Sequence, residues 1–228
     1  ADALVKYAKE DLGLEKIATV TAADDYGQSG AKLLKSAAEK YGVEVVSEQT
    51  YNSGDKDFKP QIMTMEESGA QGIFMWGVYT EAALIASQTR QLGLDVQLFG
   101  ASGMASQKLI KLSGEAGQGL ILTQTFLPDA DIAVVQDFVA KYKERYNENP
   151  IPHGAQAYDT VYIIANAIQQ AGTTDSVKLR DAIRATSGLE LVTGSPEFND
   201  TGDDIGKRLL ITKIEGDQFV LVKEISSK

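Results

Sequence analysis

A chain of 228 residues with 43% hydrophobic and 24% charged residues is globular, and long enough for one large domain or two small lobes. Its 32 acids outnumber 22 lysines and arginines, giving a net charge of -10 with no long basic run, which excludes a nucleic-acid backbone as a favoured partner. The absence of cysteine excludes disulfides, thiolate metal sites and thiol nucleophiles.

The longest apolar stretches, GLILTQTFL and VYIIANAI, fall well short of the ~20 residues that span a bilayer. ADALVKYAKEDLG, at the start, has neither a basic n-region nor an apolar h-region, which leaves a cytosolic protein and an exported one with its signal removed as the two expectations. Short apolar runs then alternate with amphipathic ones. KIATVTA reads as a strand, YGQSGAKLLKSAAEKYG as a helix, VEVVSEQTY as a strand, DFKPQIMTMEESG as a helix and QGIFMWG as a strand. TEAALIASQTRQLG follows as a helix, VQLFG as a short strand, SQKLIKLSG as a short helix and GLILTQTF as a strand. This βαβα order, with short connections, predicts an α/β fold with a parallel sheet covered by helices on both faces, a three-layer lobe. Gly42, Gly69, Gly93 and Gly100 fall where helices or strands stop.

The rhythm breaks at Asp131. Three helix-like runs follow, DIAVVQDFVAKYKERYN, HGAQAYDTVYIIANAIQQAG and SVKLRDAIRATSG, with no strand between them. A short extended piece, LELVTG, comes next, and KRLLITKIEGDQFVLVKEI closes the chain as a β-hairpin about EGD. The helices carry wide apolar stripes that need a sheet to lie on, and the adjoining sequence supplies almost none. The chain by itself is therefore expected to expose an apolar patch or to cover it by self-association.

The loop after the first strand, TVTAADDYGQSGAKLL, has two glycines, Gly27 and Gly30, but neither G-x-G-x-x-G nor the Lys-Ser/Thr ending of a P-loop. Asp24 and Asp25 would repel phosphate, and either could cap the next helix. A second loop of the same kind follows GIFMW, where Tyr79 stands just before a helix as Tyr26 does. In open α/β sheets, ligands bind beyond the carboxyl ends of the strands. Tyr26, Tyr79, Trp76 and Ser102, the last in ASGMAS after the third such strand, form an aromatic, hydrogen-bonding rim suited to a small molecule, with Asp25 beside it. Trp76 also fits a core position at the end of a buried strand.

Three features in order resemble one family: the D-x-Y-G loop at Asp24 to Gly27, the segment YNSGDKDF and the YD pair that opens a late helix. Together they resemble the type I periplasmic solute-binding proteins of the branched-chain amino acid ABC transporter class, over nearly the whole chain. The resemblance implies two α/β lobes joined by three crossing strands, with a ligand trapped between them. It implies that residues 1–125 form the second lobe, that 126–204 belong to the first and that the hairpin at 205–228 returns to the second. The start of the first lobe, on the order of a hundred residues, is expected to lie outside this chain. Tyr26 and Tyr79 fall where amino-acid-binding relatives line the cleft, whereas Ser102 falls where such relatives often carry an acid for the ligand's ammonium. Asp24, Asp25 or Glu81 would have to substitute for it.

The resemblance implies no enzyme and no cofactor. It implies a periplasmic or extracellular membrane-attached protein whose partners are an amino-acid-like or aromatic ligand and a membrane permease. The same fold as the ligand-sensing domain of a regulator or receptor is the alternative. The single histidine, His153, excludes a multi-histidine metal site and reads as a helix-start residue beside Pro152. The acid pairs Asp203-Asp204 and Glu66-Glu67 read as solvated, and the sequon at Asn199 is a short pattern of low specificity.

Overall fold

The computed structural model describes residues 1–225. The chain divides into two compact units, residues 1–123 with 211–222, and residues 124–210 with 223–225. It therefore passes from one unit to the other three times.

The first unit is built on alternation. It runs α1 (Asp2–Glu10), β1 (Lys16–Ala22), α2 (Asp25–Tyr41), β2 (Glu44–Tyr51), α3 (Lys59–Glu67), β3 (Gly72–Trp76), α4 (Tyr79–Gln91), β4 (Gln97–Gly100), α5 (Gln107–Ser113) and β5 (Ile121–Gln124). Helix α1 is an element that hydrophobic alternation from KIATVTA onward does not reveal: it is short, and Ala1 gives it no side-chain cap. Its Leu4, Val5 and Ala8 are nevertheless fully buried.

The sheet order is β2-β1-β3-β4-β5-β6-β7, closed by β6 (Leu209–Glu215) and β7 (Gln218–Ile225). The pairs β1–β2, β1–β3, β3–β4 and β4–β5 are parallel. Strand β6 runs antiparallel to β5: the Ile214 N–H donates to the Leu120 carbonyl, its carbonyl accepts from Gly119, and Thr212 reaches Leu122. The β6–β7 hairpin turns at Gly216, whose φ of 61° lies in the left-handed region.

Strand register decides which side chains share a face. Ala18, Val20 and Ala22 of β1, Tyr51 of β2 and Ile73 and Met75 of β3 join Ile62, Met65, Ala82, Ile85 and Leu109 of α3, α4 and α5 in one core cluster. Thr19 pairs with Phe74, and Thr21 with Trp76, on the opposite face. There Phe74 stacks on Phe99 with ring centroids 4.3 Å apart. The predicted three layers are thus present.

The second unit carries α6 (Ala133–Tyr146), α7 (Pro152–Ala171) and α8 (Ser176–Arg184). Pro152 opens α7, with His153 exposed beside it, and Gly172 ends it in the left-handed region at φ 63°. Phe126, Phe138, Val139, Ala155 and Val192 form its core, with the Tyr158 ring 4.8 Å from that of Phe138. Elsewhere the helix faces stay open: Val161 is 65% exposed, Val177 55%, Tyr162 49% and Ile164 39%.

The extended piece predicted at LELVTG is instead a tight turn, with Leu191 and Gly194 exchanging backbone hydrogen bonds. The buried Asp159 carboxylate explains it. Asp159 accepts from the Val192 N–H at 3.0 Å, the Thr193 N–H at 2.7 Å and the Thr193 hydroxyl at 2.7 Å, so these amides are not available to a neighbouring strand. Asp159→Ala leaves three buried donors without a partner and should cost about 3 kcal/mol or more of stability. Urea unfolding of the full-length protein checks this, and Asp159→Asn, which keeps one acceptor, should fall between the two.

Candidate functional site

The carboxyl ends of β1, β3 and β4 set the site. Asp24 leaves β1 with extended backbone and caps α2, its Oδ1 accepting from the Gly27 N–H at 2.8 Å. Of the two acids open to that role in the sequence, Asp24 fills it and Asp25 is an exposed residue in the first turn. A Cβ on Gly27 would stand 1.9 Å from the Ala22 carbonyl oxygen, so the first turn of α2 lies on the strand end at a distance open only to glycine.

One turn on, Gly30 repeats the device. A Cβ there would meet the Trp76 ring at 2.2 Å, so the indole of Trp76 lies directly on the α2 backbone. Tyr26, 43% exposed, closes over it with ring centroids 6.0 Å apart and planes tilted by 46°. Burial pushes the Tyr26 phenol up, the Gly103 N–H donating to it opposes this, and the Asp24 charge adds to the rise. Tyr26, Trp76 and the glycine following Ser102 are thereby brought together, with Ser102 itself exposed.

Tyr79 behaves differently. Its ring is half-buried against the core cluster and carries the Lys108 ammonium 5.8 Å above its centroid, on the α5 side. Its neighbour Val78, the uncapped N-cap of α4, is 46% exposed at the rim.

Two further residues matter that the rim reading did not include. Tyr51, at the end of β2, is 3% exposed, and its Oη lies where a Gly77 side chain would begin, 1.9 Å from that Cβ position. The hydroxyl is buried without a hydrogen-bond partner, as is the Trp76 Nε1. Burial first, then the charges of Glu81 and Asp24, push the Tyr51 phenol far up. Glu81 is buried in α4 and accepts from the Gly54 N–H at 2.9 Å and from the Thr80 hydroxyl. Burial alone would raise its carboxyl, but those bonds and one from its own N–H hold it below its ordinary value. Tyr51 opens the YNSGDKDF segment, and Gly77, just past the end of β3, leaves the space its hydroxyl fills, which is the signal for Tyr51.

No group of three or more His, Cys, Asp or Glu among the described residues is placed to hold a metal, and no helix there is long and apolar enough to cross a membrane. A concavity of about 170 Å³ lined by Met65, Ala70, Ile73 and Leu94 lies at the amino ends of β3 and β4, away from the rim.

An open, mostly parallel sheet with helices on both faces and its loops gathered at the carboxyl edge defines a ligand-binding α/β fold. The chain belongs to the periplasmic binding protein family, whose model matches residues 1–218. Its fold is that of the type I proteins of the branched-chain amino acid class. It is 30% identical over 201 residues to the leucine-, isoleucine-, valine-, threonine- and alanine-binding protein of Pseudomonas aeruginosa, covering 87% of this chain and 52% of that one. Among solved structures it is similar to the leucine-binding protein LivK of Thermotoga maritima, with a TM-score of 0.91 and 28% identity, over 98% of this chain and 64% of that one. It is also similar to LivJ of Streptococcus pneumoniae in complex with isoleucine, with a TM-score of 0.85 and 26% identity, over 98% and 64% of the two chains. The chain thus spans about half the length of the curated relatives it matches.

Trp76 is the only tryptophan, so its emission reports this rim alone. Gly30→Ala should displace the indole from α2, shift that emission to the red and cost about 1–3 kcal/mol of stability. An unchanged spectrum would show that the indole does not rest on Gly30.

Proposed function

We propose that the full-length protein is a periplasmic or extracellular solute receptor that binds an amino acid with an apolar side chain and passes it to the membrane permease of an ABC transporter. It does no chemistry on the ligand. The observation that carries this reading is the Tyr26–Trp76 wall at the carboxyl edge of the sheet, in a chain of the periplasmic binding protein family. Relatives named for leucine, isoleucine and valine support the choice of ligand class. In this reading residues 1–125 form the second lobe of the receptor, 126–204 belong to its first, and the hairpin from 205 returns to the second. Tyr26, Trp76 and Ser102 line the ligand side of the second lobe, with Asp25 at its margin, and Tyr79 supports α4 from behind. The open faces of α7 and α8 are then covered by first-lobe chain that this sequence does not include.

Calorimetry of the full-length protein with leucine, isoleucine and valine tests the reading. Micromolar or tighter binding is expected, about -8 kcal/mol or better, against roughly millimolar binding by residues 1–228 alone. Tyr26→Ala should cost roughly 1–3 kcal/mol of that affinity, and Tyr79→Ala clearly less. An absence of heat with every amino acid would overturn the proposal.

A further inference from the structure

An amino acid brings an ammonium to its receptor, and burying that charge without an anionic partner is costly. Ser102 supplies no charge to the rim. Glu81 is 5% exposed and already committed to the Gly54 N–H and the Thr80 hydroxyl. Asp25, exposed as Asp24 is, lies one residue further on, inside the first turn of α2.

Asp55 and Asp57 lie in the β2–α3 loop, where they accept from the backbone N–H groups of Asn52 and Lys59. Asp24, the N-cap of α2, stands two residues before Tyr26. Only its Oδ1 is engaged, by the Gly27 N–H at 2.8 Å; its Oδ2 takes no hydrogen bond or ion pair among the described residues. It follows the end of β1 by two residues; Ala23 between them donates its N–H to the Tyr51 carbonyl, and the Tyr51 hydroxyl lies buried over Gly77 without a partner. Its charge reaches both phenols, Tyr26 and Tyr51. A carboxylate oxygen without a protein partner, the Tyr26 hydroxyl beside Gly103 and the Tyr51 hydroxyl over Gly77 therefore lie at neighbouring strand ends.

We propose that Asp24 is the residue of this lobe that pairs with the ligand's α-ammonium, its Oδ1 capping α2 while its Oδ2 holds the charge. This rests on the amino-acid receptor reading above. The two duties separate by substitution: asparagine and serine cap a helix about as well as aspartate, but neither carries the charge.

The test compares leucine with 4-methylpentanoate, the same molecule without its ammonium, on full-length wild type, Asp24→Asn and Asp24→Ser. Wild type should bind leucine at least tenfold more tightly than 4-methylpentanoate. Both variants should weaken leucine binding at least tenfold, leave 4-methylpentanoate within about twofold and keep the thermal midpoint near that of wild type. Should one variant fail to fold, the other decides. Leucine binding unchanged in the variants, or both ligands weakened equally, would overturn the assignment and leave the receptor reading intact. Failure of the wild type to bind any amino acid would overturn both.

Discussion

Much of the first unit depends on how closely α2 lies on the strand ends. Helices usually pack on sheets through side chains, but here two glycines let the backbone of α2 touch the sheet directly, Gly27 against the Ala22 carbonyl and Gly30 against the indole of Trp76. That approach fixes the helix start against the strand end. With the start fixed, Asp24 can only be the cap, and Tyr26 can only stand over Trp76. The aromatic wall is thus a consequence of missing side chains, which explains why the sequence places small residues where a covering helix would ordinarily put leucine or alanine.

The alternation of the first unit was legible because every strand there is short, apolar and bounded by glycine or polar turns, and because each amphipathic run follows with the right period. The closing hairpin was equally plain from two alternating runs about Glu215, Gly216 and Asp217. What escaped was information that has no local period. Helix α1 is stabilised by burying Leu4 and Val5, not by a cap, and LELVTG has the composition of a strand but loses two of its amides to Asp159, 33 and 34 residues away in sequence. Strand-end position picked out Tyr26, Trp76 and Ser102, of which the fold brings Tyr26 and Trp76 into contact and leaves Ser102 exposed beside Gly103. The same rule does not say which way a helix's first ring turns, and Tyr79 turns toward Lys108 and the core while Val78 faces outward. Tyr51 was hidden for a similar reason: its role depends on the space over Gly77, which only the folded sheet creates.

The structure treats its acids in two ways. Glu81 and Asp159 each receive three donors in the fold, mostly backbone N–H groups, and so tie a loop to a helix as fully satisfied charges. A carboxylate in that condition has little left for a ligand. Asp24 is held by one bond at the surface and keeps its other oxygen, and the buried Tyr51 hydroxyl is also without a partner. Asp24 thus differs from both in capping a helix with one oxygen while the other has no protein partner.

The second unit shows the opposite economy. Helix α7 buries Ala155, Asp159 and Ala167, a narrow line of small and polar residues, while Val161, Tyr162 and Ile164 remain in water, and α8 has no fully buried residue. A helix with that distribution gains little from its apolar stripe by burial within the chain, since the stripe's free energy is realised only when the surface leaves water. The Phe126–Phe138–Tyr158 cluster is left to hold the helices at one end, with Asp159 clamping the turn at Val192 and Thr193. Order in this half therefore rests on a few aromatic contacts and one buried carboxylate. Order in the first half rests on a continuous sheet covered on both faces. The balance of apolar stripe to available partner, more than any single residue, is what distinguishes the two halves.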